Sequence, residues 1–232
     1  MNLKAFFASI RPIFGGQLTE AQVDGINTIL AAWKAHGDGN PRHLAYILAT
    51  AKHETAHTMQ PVRETLASTD AKAKEILTKS FNAGKLTWVK RDYWSSGFFG
   101  RGFVQITHKG NYEYAGNKLG VDLVSDPSKA LDPTIAATIL VRGTLEGWFT
   151  GKKLSDFSSF ADMRRVVNGV DRAQAIAAYA DAFLTAINNA PAEQSVTVPN
   201  LKLGAAGWLA IALISGSSVL VGIWQWISSL IG

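Results

Sequence analysis

Cysteine is absent from the 232-residue sequence, which excludes disulfide bonds and thiolate metal sites. Any zinc site could therefore use only His, Asp or Glu side chains. Charged residues are also absent from residues 203–232. The apolar run near the N-terminus covers only residues 5–10, which is too short for a secretory signal. We therefore expect synthesis in the cytoplasm without a signal peptide.

The chain is mildly basic, with a formal net charge of +5 at pH 7. Such a surface suits a polyanionic partner, for example a nucleic acid, an anionic lipid or a cell-envelope polymer. A solvated basic exterior with no such partner is an equally good interpretation. Charge alone therefore leaves the partner open.

Helical periodicity dominates the first 190 residues, and the length suits one domain with an appendage. The T-x-x-Q pattern at Thr19 is a capping box that predicts the start of a helix. The alternating stretch "FVQIT" predicts a short strand that places Gln105 and Thr107 on one face. We predict a mainly α (α+β) domain with helices near residues 19–36, 41–60, 70–80, 135–145, 157–167 and 173–187.

Two further segments follow this predicted domain, 1–190. Residues 191–203 contain two prolines and no periodicity, and predict a linker. Residues 204–232 predict a membrane-associated hydrophobic helix, because about 20 apolar helical residues suffice to cross a bilayer. Small residues such as Ala212 and Gly216 could let two such helices self-associate weakly. An interfacial association and a buried helix of the domain remain the alternatives.

The stretch "HETAH" contains the H-E-x-x-H pattern of zinc peptidases, with His53 and His57 as potential metal ligands. A zinc site also needs a third protein ligand. Gln60 and Arg63 stand where the extended motif has glycine and the third histidine, and Glu75 is the remaining downstream candidate. The zinc interpretation is therefore weakly supported.

The same stretch offers two carboxylates for glycosidic-bond cleavage, Glu54 and Glu64. Such a reaction needs one protonated carboxyl group and one ionised carboxylate. Glu54 extends the apolar stripe of its helix, where a glutamate is costly unless it is functional or ion-paired. Glu64 follows Pro61 in a polar stretch beside Arg63, which favours the ionised form. The pair fits an acid and a base.

Four motifs, in order, resemble family 19 of the glycoside hydrolases, which contains plant-type chitinases and phage or prophage lysozyme-like endolysins. The motifs are "HETAHTMQPVRE", "FFGRGFVQITHKGNY", "DLVSDPSKALDPTIAATIL" and "VVNG". The resemblance covers about residues 40 to 185. It implies a lysozyme-like, two-lobed helical fold with a small β-hairpin near residues 98–107, and hydrolysis without metal or cofactor.

The resemblance also implies the roles of individual residues. Glu54 would be the general acid, Glu64 the general base, and Thr107 would help to hold the attacking water. His53 would orient the acid-bearing turn, although a structural core histidine is an equal alternative. The implied sugar-binding residues are Gln105, Asn111, Tyr112 and Asn168, with Arg172 as the candidate for an arginine that the family carries near this point.

The chain departs from the chitinases, because their aromatic W-F-W motif is absent after Ala137. This departure favours bacterial peptidoglycan over chitin, so we predict an endolysin that cleaves the β-1,4 bond of the wall glycan with inversion. Chitin is the alternative substrate. We expect peptidoglycan and, through residues 204–231, the bacterial inner membrane as partners, the periplasmic wall as the site of action, and no nucleic-acid partner.

Overall fold

The computed structural model of the protein describes residues 1–87 and 89–191. The fold is mainly helical, and the predicted fold class is confirmed. Short 3-10 turns connect several of the helices. The helices are α1 (Leu3–Ile10), α2 (Glu20–His36), α3 (Pro41–Glu54), α4 (Asp70–Asn82), α5 (Lys109–Leu119), α6 (Pro133–Glu146), α7 (Phe160–Met163) and α8 (Ala173–Asn188).

Helix α3 forms the centre of the main core. Asn40 caps its first turn by accepting a hydrogen bond from the Arg42 amide, and Pro41 supplies a favourable first helical residue. Its residues from 43 to 52 are all buried. Helix α3 packs mainly on α8, and α2 packs on α6. The capping box predicted at Thr19 is present at the start of α2.

A two-stranded antiparallel sheet is the β element of the fold. Strand β1 (Val62–Arg63) pairs with β2 (Arg101–Gly102), so the two strands are far apart in the chain. The predicted alternating strand over 103–107 is instead a tight turn. Gln105 has a positive φ of 55°, and Phe103 is buried together with Val104, so the side chains do not alternate between two faces.

Residues 62–102, from β1 to β2, form what we call the small lobe. It contains a second cluster of buried residues, separate from the main core, which joins α4 to the segment that precedes β2. The buried members of this cluster are Ala67, Ala73, Leu77, Trp94 and Phe99. The two clusters agree with the predicted two-lobed architecture.

The predicted linker, 191–203, and the predicted hydrophobic helix, 204–232, lie outside the described residues except for Pro191. Within residues 1–87 and 89–191, none of the helices combines the length and apolar character that a membrane span requires. The division of the chain at residue 190 therefore stays a prediction.

Candidate active site

A cleft of about 730 Å³ lies where the end of α3 faces the small lobe and the turn after β2. Five of the predicted site residues line it: Glu54, Gln105, Thr107, Asn111 and Asn168. The other lining residues are Val89, Lys90, Arg91, Asp92, Tyr93, Val104, Ile106, His108, Phe149 and Val167. The sequence motifs therefore converge on one cavity.

Glu54 is the last residue of α3, and its side chain is 17% exposed. Its Oε1 accepts a hydrogen bond from Nη1 of Arg164 at 2.6 Å. Arg164 is buried, and its Nε also donates to the backbone carbonyl of Asp171 at 3.1 Å. The ion pair fixes one carboxyl oxygen of Glu54, and the described residues provide no hydrogen bond to the other.

Glu64 follows strand β1, and both of its carboxyl oxygens accept hydrogen bonds. Oε1 accepts from the hydroxyl group of Tyr93, and Oε2 accepts from the backbone amide of Gly100 at 2.8 Å. Burial and the contact with Glu64 raise the pKa of Tyr93. These two donors hold both carboxyl oxygens of Glu64 in a fixed orientation.

Tyr93 contacts Glu64 and also lines the cleft. Its ring lines the cleft, whereas Glu64 is absent from the lining. The same ring packs edge-on against His108, another lining residue, with 5.4 Å between ring centres. Tyr93 was not predicted from the sequence, where it appeared only as one aromatic residue in a glycine-rich segment.

Arg101 holds together the part of the small lobe that carries Glu64. It is buried, its Nη2 donates to Asp70 at 2.7 Å, and its Nη1 donates to the hydroxyl of Tyr112 at 2.9 Å. Partial burial acts to raise the pKa of Asp70, but hydrogen bonds from Arg63 and Arg101 outweigh it and hold that pKa below its usual value. Arg101 thus links α4, β2 and α5.

Tyr112 belongs to this support rather than to the cleft surface. It is fully buried, and its hydroxyl donates to the carbonyl of Phe99 at 2.7 Å. Burial raises its pKa to about 12. The predicted role of packing beside the sugar-binding residues is compatible with this position, but its side chain is not among those that line the cleft.

Polar side chains brace the turn between β2 and α5. Gln105 donates to the carbonyl of Val62 at 2.9 Å, Thr107 donates to the carbonyl of Gln105 at 2.8 Å, and Asn111 donates to the carbonyl of Thr107 at 2.7 Å. Because these donors are used internally, the oxygen atoms of these side chains remain to accept hydrogen bonds from water or from sugar hydroxyls.

The two histidines of the H-E-x-x-H pattern do not lie on one continuous helix. Helix α3 ends at Glu54, and His57 follows in a turn with a positive φ of 71°. His57 Nε2 lies 3.4 Å from the hydroxyl of Tyr179. Burial lowers the pKa of His53 and also that of His57. No group of three potential metal ligands occurs within residues 1–87 and 89–191.

The last two predicted residues, Asn168 and Arg172, are close in sequence, but only Asn168 lies at the cleft. Asn168 lines the cleft, and its Oδ1 accepts from the amide of Gly169 at 2.8 Å. Arg172 is exposed, precedes α8, and is absent from the cleft lining. The arginine that contacts Glu54 is Arg164, which the sequence analysis did not single out.

Comparisons with known proteins agree with this architecture. Residues 19–156, more than half of the chain, match the family model described as chitinase class I. Chitinase 11 from Oryza sativa subsp. japonica is 50% identical over 40 residues, which cover 17% of this chain and 16% of that protein. An acidic endochitinase from Solanum chilense is 42% identical over 66 residues, or 25% of this chain and 26% of that protein.

Solved structures are similar in fold. Chitinase C from Streptomyces griseus has a TM-score of 0.53 at 20% identity, with 79% of this chain and 77% of that chain covered. A variant of a chitinase C has a TM-score of 0.51 at 18% identity, with 78% and 90% covered. The matches to the two curated plant relatives span only about a fifth of their lengths.

Proposed function

Because the chain belongs to the class I chitinase family, family 19 of the glycoside hydrolases, we propose that it hydrolyses β-1,4 bonds in glycans that contain N-acetylglucosamine. The observation that carries this proposal is the contrast between Glu54, which lines the cleft, and Glu64, which contacts the cleft residue Tyr93. Glu54 lines the cleft with one carboxyl oxygen bound to Arg164. Glu64 accepts hydrogen bonds at both oxygens, one of them from Tyr93.

The proposed mechanism uses these two carboxyl groups without a metal or cofactor. Glu54 donates a proton to the leaving glycosidic oxygen, and Glu64 takes a proton from a water that attacks the opposite face of the sugar. Thr107 lines the cleft, and we assign it to hold that water. For this inverting reaction we expect the two carboxyl groups to lie roughly 6.5–9.5 Å apart in the complex with substrate.

Chitin is the polymer that the comparisons favour, since the relatives and structural neighbours are named as chitinases. Peptidoglycan is the second candidate, because it contains the same type of bond and because the small lobe, residues 62–102, has a net charge of +4 that suits an anionic polymer. We extend the proposal to an endolysin, a protein that cleaves the bacterial wall. In this extension, residues 204–231 associate with the inner membrane and help the protein to reach the wall. Fractionating cells that express the full chain or a chain ending at Asn200 tests the membrane association.

The decisive experiment incubates the purified protein with glycol chitin and, separately, with purified peptidoglycan. Reducing ends measure the rate, mass spectrometry identifies the bond, and proton NMR of the first product measures the anomeric form. Release of α-anomeric products supports inversion. A protein without activity on either polymer, or one whose activity a chelator abolishes, contradicts the proposal.

A further inference from the structure

The positive charge of the chain is concentrated in the small lobe. Residues 62–102 contain eight lysine or arginine residues and four acidic ones, a net charge of +4, whereas the whole chain has +5. The remaining residues are therefore nearly neutral in sum. Since the small lobe forms one wall of the cleft, the site has a basic side and a nearly neutral side.

Most of the charged residues of this lobe are engaged within it. Asp70 accepts hydrogen bonds from both Arg63 and Arg101, and Lys72 pairs with Glu75 at 3.0 Å. These contacts neutralise or anchor the charges near α4. Lys79 and Lys85 also have no ion pair within the described residues, but neither lines the cleft. Two further cations without an ion pair do line it.

Lys90 and Arg91 are those cations. Both line the same cleft as Glu54, both are exposed, and neither has an ion pair or hydrogen bond within residues 1–87 and 89–191. Their acidic neighbour, Asp92, uses Oδ1 to accept from the amide of Ser95 at 2.9 Å. The segment is anchored beside them, because Val89 and Tyr93 pack against the buried cluster of the small lobe.

The facing side of the cleft contains one acidic residue, Glu54, which is paired with Arg164, and one histidine, His108. Its polar surface consists of amide and hydroxyl groups from Gln105, Thr107 and Asn111. Those groups suit sugar hydroxyl and acetamido groups, which chitin and peptidoglycan share. The feature that separates the two polymers is charge: chitin is neutral, whereas the peptide stems of peptidoglycan carry carboxylates.

We propose that Lys90 and Arg91 are specificity-determining residues, which bind carboxylate groups attached to the glycan and make the enzyme prefer an anionic glycan over a neutral one. This inference rests on the proposed function. The guanidinium group of Arg91 and the ammonium group of Lys90 attract carboxylates to one wall of the cleft. The bound glycan is then oriented with its sugar chain against the opposite, neutral wall. Salt weakens such exposed contacts, because the screening length is about 8 Å at 0.15 M ionic strength.

The test uses two soluble polymers that contain the same glycosidic bond, neutral glycol chitin and anionic carboxymethyl chitin, with peptidoglycan as a third substrate. The Lys90→Gln, Arg91→Gln double variant removes both cations from the cleft. The control variant, Lys4→Gln with Lys34→Gln, lowers the net charge equally at exposed positions outside the cleft. The quantity measured is the ratio of kcat/KM on the anionic polymer to kcat/KM on the neutral polymer.

We expect this ratio to fall roughly five- to twenty-fold in the cleft variant, since exposed charge pairs are each worth a few-fold. It should stay within two-fold of the wild-type ratio in the control variant. The wild-type ratio should also fall as sodium chloride is raised from 0.05 to 0.5 M. If kcat/KM on peptidoglycan also falls in the cleft variant, the wall polymer is a source of the recognised carboxylates. If kcat/KM falls on carboxymethyl chitin alone, the inference is restricted to carboxylates on the sugar itself.

Two results separate the failure of this inference from that of the proposed function. If the wild type cleaves the polymers but the cleft variant keeps the wild-type ratio, the specificity role of Lys90 and Arg91 is wrong and the glycosidase function stands. If the wild type cleaves none of the three polymers, the proposed function fails first. Thermal unfolding of both variants checks that the ratio is measured on folded protein.

Discussion

Glu54 and Arg164 are 110 residues apart in the sequence, yet Oε1 of Glu54 lies 2.6 Å from Nη1 of Arg164. The contact joins the end of α3 to the 3-10 turn after α7. Arg164 is held in turn by the carbonyl of Asp171. Its side chain is 3% exposed, so the guanidinium group is a fixed charge that restricts how the carboxyl group of Glu54 faces the cleft.

We predict that Arg164→Met lowers kcat by roughly 10- to 100-fold, because a misplaced acid loses much of its effect. KM should change less than kcat, because Arg164 is absent from the cleft lining. Arg165→Met is the control, since Arg165 is exposed and its ion pair is with Asp162. An unchanged kcat in Arg164→Met contradicts the assignment.

We predict that Glu54→Gln and Glu64→Gln each reduce glycan hydrolysis by roughly 10²- to 10⁴-fold, the usual contribution of a general acid or base. Both variants should remain folded, but Glu54→Gln should lower the melting temperature, because it leaves the buried guanidinium group of Arg164 without an ionised partner. Glu75→Gln is the matched control: Glu75 is exposed on α4 and pairs with Lys72. Glu75 is also the third ligand of the zinc interpretation, so a large loss in this variant, together with inhibition by a chelator, supports zinc instead.

We predict that Tyr93→Phe lowers kcat. The hydroxyl of Tyr93 donates to Glu64, and removing this donor leaves one oxygen of the proposed base without the contact that orients it. KM should change less than kcat, because the ring that lines the cleft is retained. Tyr114→Phe, at an exposed position outside the cleft, should match the wild type. An unchanged kcat in Tyr93→Phe argues against this role.

Sequence patterns predict the helices and the identity of the cleft better than they predict its internal contacts. The capping box at Thr19 and the apolar stripe that ends at Glu54 are local signals, and both correspond to helices of the structure. The turn around Gln105 was predicted as a strand, because apolar alternation cannot reveal that the backbone adopts a positive φ. Local patterns indicate the periodicity of apolar residues, but they do not indicate the sign of the backbone φ angle.

The partners of the two glutamates could not be predicted, because both contacts are made between distant parts of the chain. Arg164 reaches Glu54 across 110 residues, and Tyr93 reaches Glu64 across 29. Nothing in the sequence around Arg164 or Tyr93 indicates that either side chain contacts a glutamate. The sequence therefore indicates the candidate catalytic residues, whereas the fold shows which side chains contact them.

We predict that the free energy of unfolding increases as pH rises from about 8 to 9.5, and that Lys52→Met removes this increase. Lys52 is fully buried, its Nζ lies 3.8 Å from the centre of the Tyr179 ring, and burial lowers its pKa to about 8. The unfolded chain then binds more protons than the folded chain in this range, so raising the pH favours folding. Urea denaturation at several pH values measures the effect.

The comparison variant for Lys52 is Lys34→Met, at an exposed position on α2. It should retain the wild-type dependence on pH. The range stops below pH 10 because the tyrosines also titrate there. A wild-type stability that falls steadily between pH 8 and 9.5 contradicts the sign of this prediction.

The last prediction concerns Gly25, where α2 approaches the turn between the two glutamates. A Cβ atom at this position would lie 1.6 Å from the carbonyl oxygen of Met59. The turn is also tied to α2 by the side chain of Gln22, which donates to the carbonyl of His57 at 3.0 Å. Because Met59 has a positive φ of 53° and is buried, the turn has little freedom to yield.

We therefore expect Gly25→Ala to destabilise the fold by about 1–3 kcal/mol, the usual range for overpacking in a core. It should also lower kcat, because a shift of this turn changes the position of Glu64 relative to Glu54. Gly110→Ala is the control, since Gly110 lies in α5 and a Cβ there meets no atom within 4 Å. Alanine has the higher helix propensity, so Gly110→Ala should be neutral or stabilising. Equal melting temperatures for the two variants would show that the contact between α2 and the turn does not constrain the fold.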